Sequence, residues 1–597
     1  MHCGNYILYN NISCYMPTPY ITERNGKQYM YRSTSTYSAE KHGPVAVVEY
    51  MGQVIDRRLK PKRGYFYDEA TGEFGPVVVS VSKPSSIRSK RFGDAYFLDA
   101  LQKRLGILGD LNSSFGIDTG NMIMAVAFAY TIRPSALMHM EGVIEKRCIP
   151  EVLGLPLDAD FSSQRMSELT KAIGSDKDGL ETFFSRRISG CDGQYVFDLT
   201  SESTYSSLNT MAEWGRNKDH MPLRQLNMGL VTDHEGRPLM FYIYPGSTAD
   251  VSTLRRMVDD VVRLGGKDAT LVMDRGFVSP KSMWYLLDNG MDFVAPMRLD
   301  RSGIMKAVVT SILDAMGNVG NTLVHDGRSY CVIGRSIGVR RMRGANLDAR
   351  ETLWEDPDGY DLLLDGDEEF GSCDHYVDVF VYKDIAAAGI ETSEMDVSLN
   401  AIMGKLNGTK ARDPKKHFEN AAGIYAGMLK WDLDGDGRMV VSVKQNAHTF
   451  AANRKGVFAM VAPTRSNRDA AWILDAYGCR DAIEDVFLID KSEGDGRVPR
   501  SGDREAIVGR TFIRMVSAIM TVEILRRRNE FANDKNVNPK KKPRDLAKRT
   551  PGMFLDSLSN IEMIYGDGWK QMTEVTKDDR LIFDMFSIGP PKDVKWR

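Results

Sequence analysis

Six side chains have the types and spacing that chemistry needs: Tyr477, Arg480, Glu484 and Lys491 near the C-terminal third, and two isolated aspartates upstream, Asp198 and Asp274. On an α-helix, at about 100° per residue, the first four fall at roughly 0°, 300°, 340° and 320°, inside about 60° of arc. The spacing therefore predicts one charged helical face, with Cys479, Ile483 and Val486 on the opposite side against a core. Asp198 and Asp274 each end an apolar run of strand character. Acids from two strands and one helix, all offering hard oxygens, outline a divalent-metal site. Taken alone, Arg480 and Glu484 would read as a surface ion pair worth a few tenths of a kcal/mol. Either aspartate alone would read as a loop-start or capping residue. The six together point away from both readings.

The elements that must position these residues can be read from the surrounding pattern. Tyr195 to Leu199 reads as a strand carrying Asp198, and Gln225 to Thr232 and Leu239 to Tyr244 as strands flanking the turn Asp233-His234-Glu235-Gly236. Val251 to Leu264 reads as an amphipathic helix, Thr270 to Met273 as a short strand ending at Asp274, Pro280 to Leu287 as a helix and Phe293 to Met297 as a strand. Strand, hairpin, strand, helix, strand is the opening order of an RNase H-like sheet, whose first and fourth strands are neighbours and can bring their acids together. The stretch from Asp274 to Glu484 is far longer than one crossover needs, so something is inserted.

The expected fold class is α/β, an RNase H-like catalytic core interrupted by a β-rich insertion, with N-terminal β-rich and helical regions and a helical C-terminal tail. Residues 1–92 form the N-terminal β-rich basic region, with a hairpin signal at Asn25-Gly26. Residues 93–190 form a helical region, read equally as scaffold or as a DNA-end-binding module. The core occupies 191–299 and 446–530, the insertion 300–445, and a basic linker with a C-terminal helical segment 531–597. Within the last parts, Arg504 to Arg528 reads as one long amphipathic helix, Asn533 to Arg549 as a mobile basic linker, and Pro551 to about Met572 as a closing helix.

The formal charge of −2 hides a division of labour along the chain. Between Lys491 and Arg549 there are 16 Lys and Arg against 8 Asp and Glu, whereas Leu347 to Asp374 holds 11 acids and one base, Arg350. Seven scattered cysteines without a Cys-x-x-Cys pair fit a reducing cytoplasm and exclude a zinc ribbon. The longest apolar stretch, Met122 to Ile132, is too short to span a bilayer, and no leader pattern opens the chain, so the expected location is cytoplasmic and nucleoid-associated. Asp432 to Gly437 opens like a calcium loop, but its twelfth position is Val443 where a glutamate is required; a β-hairpin turn is the expectation.

The order Tyr477, two residues, Arg480, three residues, Glu484, six residues, Lys491 resembles the Y-(2)-R-(3)-E-(6)-K pattern of DDE transposases from prokaryotic insertion sequences, the group similar to insertion sequence family 4. Tyr195-Val-Phe-Asp198, Pro245 to Asp250 and Asp274-Arg-Gly-Phe277 share the likeness, which runs over roughly 190–300 and 440–530. The resemblance implies that Asp198, Asp274 and Glu484 are the catalytic residues and the ligands of two Mg2+ ions, for which Mn2+ can substitute. It implies phosphate binding by Tyr477, Arg480 and Lys491. The implied partners are double-stranded DNA, namely the transposon's terminal inverted repeats and target DNA, and a second copy of the chain in a homodimeric synaptic complex. The implied activity is metal-dependent excision and strand transfer by a cut-and-paste route. The rival expectations are an inactive or domesticated transposase acting as a DNA-binding protein, and an RNase H-like nuclease without strand transfer.

Overall fold

A computed structural model describes residues 19–592, except 63–64, 69–70, 72, 77–86, 157, 207–208, 216–221, 249, 267–268, 300–304, 306–307, 311–312, 314, 316–317, 342–359, 493–501, 538–541, 543–545 and 567–568. The chain divides into two units, residues 1–87 with 566–568, and residues 88–565 with 569–597. In the first unit, Pro19–Arg24, Lys27–Ser38, Gly43–Ile55 and Arg58–Pro61 form a four-stranded antiparallel sheet in chain order. The expected hairpin turn falls at Asn25-Gly26, both with positive φ, as a two-residue turn between twisted strands requires. Met30, Met51 and Phe74 form a small core on one face of this sheet.

The second unit is built around a ten-stranded mixed sheet. Its strands are β1 (Gln194–Thr204), β2 (Arg224–Asp233), β3 (Pro238–Pro245), β4 (Thr270–Met273), β5 (Asp292–Met297), β6 (Thr322–His325), β7 (Arg328–Arg341), β8 (Tyr360–Leu364), β9 (His375–Asp384) and β10 (Val457–Pro463). They lie in the order β3-β2-β1-β4-β5-β10-β9-β7-β6, with β8 paired to β7. β1, β2 and β3 are antiparallel, while β4 runs parallel to both β1 and β5. All four residues of β4 are buried, which is why it reads as an unbroken apolar run: a central parallel strand is covered on both faces.

Three sequence expectations change at this level. Asp198 does not end its strand, because β1 pairs with β2 as far as Thr204 opposite Arg224, and Asp198 lies mid-strand opposite Leu230. The polar run Thr200 to Thr204 can be buried because its charge is met inside: Glu202 accepts from Arg514 at 2.9 Å. Residues 300–445 are not simply β-rich. They supply β6 to β9, which extend the same sheet beyond β10, and also a 22-residue helix α3 (Ile385–Leu406), the helix Pro414–Ala422 and a hairpin whose strands are Leu429–Leu433 and Met439–Val443. That hairpin carries the turn expected in place of a calcium loop, with Asp434 Oδ1 accepting from the amides of Asp436 and Arg438. The C-terminal helix runs only over Pro551–Leu558, after which Glu562–Gly566 pairs with Arg88–Arg91.

Five further helices matter to the site: α1 (Asp250–Arg263), α2 (Pro280–Asp288), α4 (Ala470–Gly478), α5 (Arg480–Ser492) and the 30-residue α6 (Arg504–Asn533). The one long helix expected from Arg504 is present, but α6 is buried on most sides from Ile507 to Ile524, so it is a central strut rather than amphipathic along that stretch. It crosses the helix Ser163–Ser175 so closely that a Cβ on Gly509 would lie 1.9 Å from the Thr170 carbonyl oxygen. No helix among the described residues is long and apolar enough to cross a membrane.

Candidate active site

The site is set first by strand register. β1 and β4 are parallel neighbours with Phe197 opposite Met273, so the next residues on each chain, Asp198 and Asp274, stand side by side. Each aspartate spends Oδ1 on the amide that follows it, from Leu199 and Arg275 respectively, both at 2.7 Å. Each turns Oδ2 toward a common point. After Asp274 the chain makes a single 3-10 turn, Arg275–Phe277, whose buried Phe277 ring packs on Phe197 at 5.1 Å and anchors the bend.

α5 brings the third acid. Its inner face buries Ile483 and Val486, as the periodicity predicts, and leaves Glu484 on the outer face. Its seat is the hairpin turn between β2 and β3: Gly236 lies against Ala482, and a Cβ added there would come within 2.6 Å of the Ala482 Cβ. That turn is pinned in turn by Arg237 to Asp233 at 2.8 Å and by Arg526 of α6 to Glu235 at 3.3 Å.

The acids meet around one atom. Arg480 Nη2 lies 2.8 Å from Glu484 Oε1, 3.6 Å from Asp198 Oδ2 and 3.7 Å from Asp274 Oδ2. Twice the longest of these distances bounds the separation of any two of these carboxylate oxygens, so the three acids line one site. Exposure rises across the site, from a 7% exposed Asp198 side chain through 34% at Asp274 to 54% at Glu484, so it opens outward from a buried floor. Burial works against the charge of Arg480, but the carboxylates of Asp274, Asp198 and Glu484 outweigh it and hold the guanidinium above its ordinary pKa. Burial likewise pushes the Tyr477 phenol up, against the pull of Arg480, so it stays a neutral O–H.

The charged face is not one helix. The chain breaks between α4 and α5 at Gly478-Cys479, a point of weak helix propensity, which leaves Tyr477 on α4 and Arg480, Glu484 and Lys491 on α5. Tyr477 nevertheless reaches the site, with its hydroxyl 3.3 Å from Arg480 Nη1. The side chain of Lys491 lies outside the described residues.

The donor set suits a hard cation such as Mg2+: carboxylate oxygens, with neither thiol nor imidazole among them. The guanidinium stands between the acids and keeps them apart. Among the described residues, the one His, Cys, Asp and Glu group whose donor atoms all lie within 4.8 Å of one another is instead His325, Asp326 and Asp475. That trio differs from the acids: Asp326 and Asp475 are exposed, and it bridges the β6–β7 turn to α4 through a contact of His325 Nε2 with Asp475 Oδ1 at 3.0 Å. Sequence reasoning missed the Gly236 seat and the buried pair of Glu202 and Arg514. The only signal for the latter was a lone acid inside an uninterrupted strand.

A family profile for the transposase DDE domain matches residues 190–489, just over half of the chain, and takes in Asp198, Asp274 and Glu484. The chain belongs to the DDE transposase family. The transposase is thus an enzyme of metal-dependent DNA cleavage and joining, and DNA is its partner. Lys491 falls just beyond the matched segment. Among solved structures, a piggyBac transposase synaptic complex with hairpin DNA is similar at 9% identity and a TM-score of 0.33, over 80% of this chain and 82% of that one, too distant a likeness to bear on the site. No curated protein sequence matches significantly.

Proposed function

We propose that this transposase excises an insertion sequence and joins it to target DNA by a cut-and-paste route, with Asp198, Asp274 and Glu484 as its catalytic ligands. The observation that supports this most is the meeting of three acids, from two neighbouring parallel strands and one helix, around a single guanidinium nitrogen. When bound, two Mg2+ ions, or Mn2+ in their place, supply Lewis-acid charge at the attacking and leaving oxygens of an in-line displacement. Asp198 offers an oxygen fixed by burial and by the Leu199 amide; Glu484, exposed on its helix, is the ligand free to adjust. Arg480 exchanges its carboxylate partners for phosphate oxygens, which its planar fork matches in pairs. Tyr477, kept neutral by burial, donates its O–H to a phosphate beside Arg480. Lys491 completes the phosphate contacts. Residues 191–299 and 446–530 form the RNase H-like core of this reading, and 300–445 the insertion. The spacing of Tyr477, Arg480, Glu484 and Lys491 supports membership of the group similar to insertion sequence family 4, acting as a homodimer on paired terminal inverted repeats.

The test is a cleavage and joining assay on duplex ends carrying the element's inverted repeats. Asp198→Asn, Asp274→Asn and Glu484→Gln should each abolish Mg2+-dependent cleavage by two or more orders of magnitude while gel-shift binding of the ends persists. Full cleavage by any of the three would remove that residue from the ligand set. Cleavage by the wild type without 3′-OH joining would make the protein a nuclease.

A further inference from the structure

The N-terminal sheet has a second face whose composition is not that of a solvent-facing sheet. Register sets Tyr20, Tyr31 and Tyr50 directly opposite one another on three adjacent strands. Their rings form a ladder, 5.9 Å from Tyr20 to Tyr31 and 5.3 Å from Tyr31 to Tyr50, and Tyr29 adds a fourth ring 6.2 Å from Tyr50. Tyr20 and Tyr50 remain 41% and 37% exposed, and Val48 and Ile55 on the same face are exposed as well. The core of this sheet, Met30, Met51 and Phe74, lies on the other side and does not explain the ladder.

Charge follows the same alternation. Strand period two puts Arg24 and Lys27 on the tyrosine face beside the hairpin turn, and Arg58 and Lys60 on the fourth strand, where Lys60 is opposite Gln53 and Gln53 opposite Tyr29. All four are exposed. No Asp or Glu of these strands falls on that face. Glu23 and Glu49 alternate to the other one, where Arg32 and Lys62 hold Glu49 at 2.8 and 2.9 Å. Exposed aromatic rings bordered by unneutralised cations are the two components by which proteins hold single-stranded nucleic acid: rings stack on bases and cations track the backbone. A duplex would offer these rings only its sugar–phosphate surface, since its bases are already stacked on each other.

We infer that the outer face of the N-terminal sheet is a stacking platform for unpaired DNA, with Tyr20, Tyr31 and Tyr50 taking bases and Arg24, Lys27, Arg58 and Lys60 taking phosphates. The inference rests on the protein's action on DNA and assigns a surface that lies outside the segment matched to the DDE domain.

The experiment is fluorescence anisotropy of the full chain with labelled oligo-dT of about 20 nucleotides, longer than one site, and with a duplex of the same length. Tyr20→Ala with Tyr50→Ala should weaken oligo-dT binding at least tenfold, whereas Tyr20→Phe with Tyr50→Phe, which keeps the rings, should stay within about twofold of wild type. Replacing Arg24, Lys27, Arg58 and Lys60 with Gln should flatten the log–log salt dependence on oligo-dT by about two to three units. These four are exposed, so this variant keeps the proposal testable even if the alanine variant misfolds. Asp198→Asn should bind oligo-dT as the wild type does, so the catalytic reading and this one fail separately. An unchanged affinity in the folded tyrosine variant together with an unchanged slope in the glutamine variant overturns the proposal. A tyrosine variant that changes from dimer to monomer at unaltered oligo-dT affinity also overturns it, and makes the face an interface between copies.

Discussion

One guanidinium among three carboxylates governs how those carboxylates share charge. With Arg480 Nη2 within 3.7 Å of an oxygen from each acid, the acids are spared much of their mutual repulsion. Arg480→Ala removes that relief, and with it the planar fork that the proposed function assigns to phosphate oxygens. The expected outcome is that cleavage and joining are both reduced. Arg480→Lys keeps the charge but loses the planar fork, and should restore joining only in part. Initial cleavage and joining rates of both variants check this, and rates identical to the wild type would leave Arg480 a bystander.

Among the elements, the turn between β2 and β3 holds α5 in place. Gly236 has φ +84° and faces Ala482, so Gly236→Ala suffers both a left-handed backbone and a 2.6 Å approach to the Ala482 Cβ. The expected cost is about 1–3 kcal/mol in urea denaturation, with a loss of cleavage larger than the unfolded fraction explains because Glu484 rides on the displaced helix. A second element prediction concerns β1 and α6, joined by Glu202 and Arg514, both buried. Arg514→Met alone strands a buried carboxylate and should cost about 3–5 kcal/mol, whereas Arg514→Met with Glu202→Gln should recover much of it. Equal denaturation midpoints for the single and double variants would show that the pair is not coupled.

Over the whole molecule, part of the basic excess between Lys491 and Arg549 is spent within the protein. Arg514 serves Glu202, Arg526 and Arg527 serve Glu523 and Glu530, and Lys542 donates to the carbonyls of Ala532 and Asp534 at the end of α6. That last contact is a helix C-terminal cap, so at least one residue of the expected mobile linker is tied down. Lys540 and Lys541 lie outside the described residues. Replacing Lys540, Lys541 and Lys542 with Gln should therefore flatten the salt dependence of duplex binding by no more than about two units, one per remaining phosphate contact at about 0.9 each. Lys542→Gln alone should leave the slope unchanged and cost less than about 1 kcal/mol of stability. Binding isotherms across a salt series decide between a DNA-tracking run and a structural one.

Local pattern was enough for some of this protein. Thr270–Met273 had to be a buried strand because Leu271, Val272 and Met273 form an apolar run too short for a helix and closed by an aspartate, and Asn25-Gly26 had to be a turn because few residue pairs adopt positive φ twice. The spacing from Arg480 to Glu484 fixed a shared helix face, since a helix repeats locally. Other features depended on partners distant in the chain. Whether β1 stops at Asp198 or runs on to Thr204 depends on Arg514, more than three hundred residues away, which makes burial of Glu202 tolerable. Strands β6 to β9 could be recognised as strands, but their joining the core sheet beyond β10 is a pairing choice that periodicity does not encode. Likewise a count of arginines cannot tell a DNA-facing cation from one already paired, because a charge is visible in the sequence and its partner only in space.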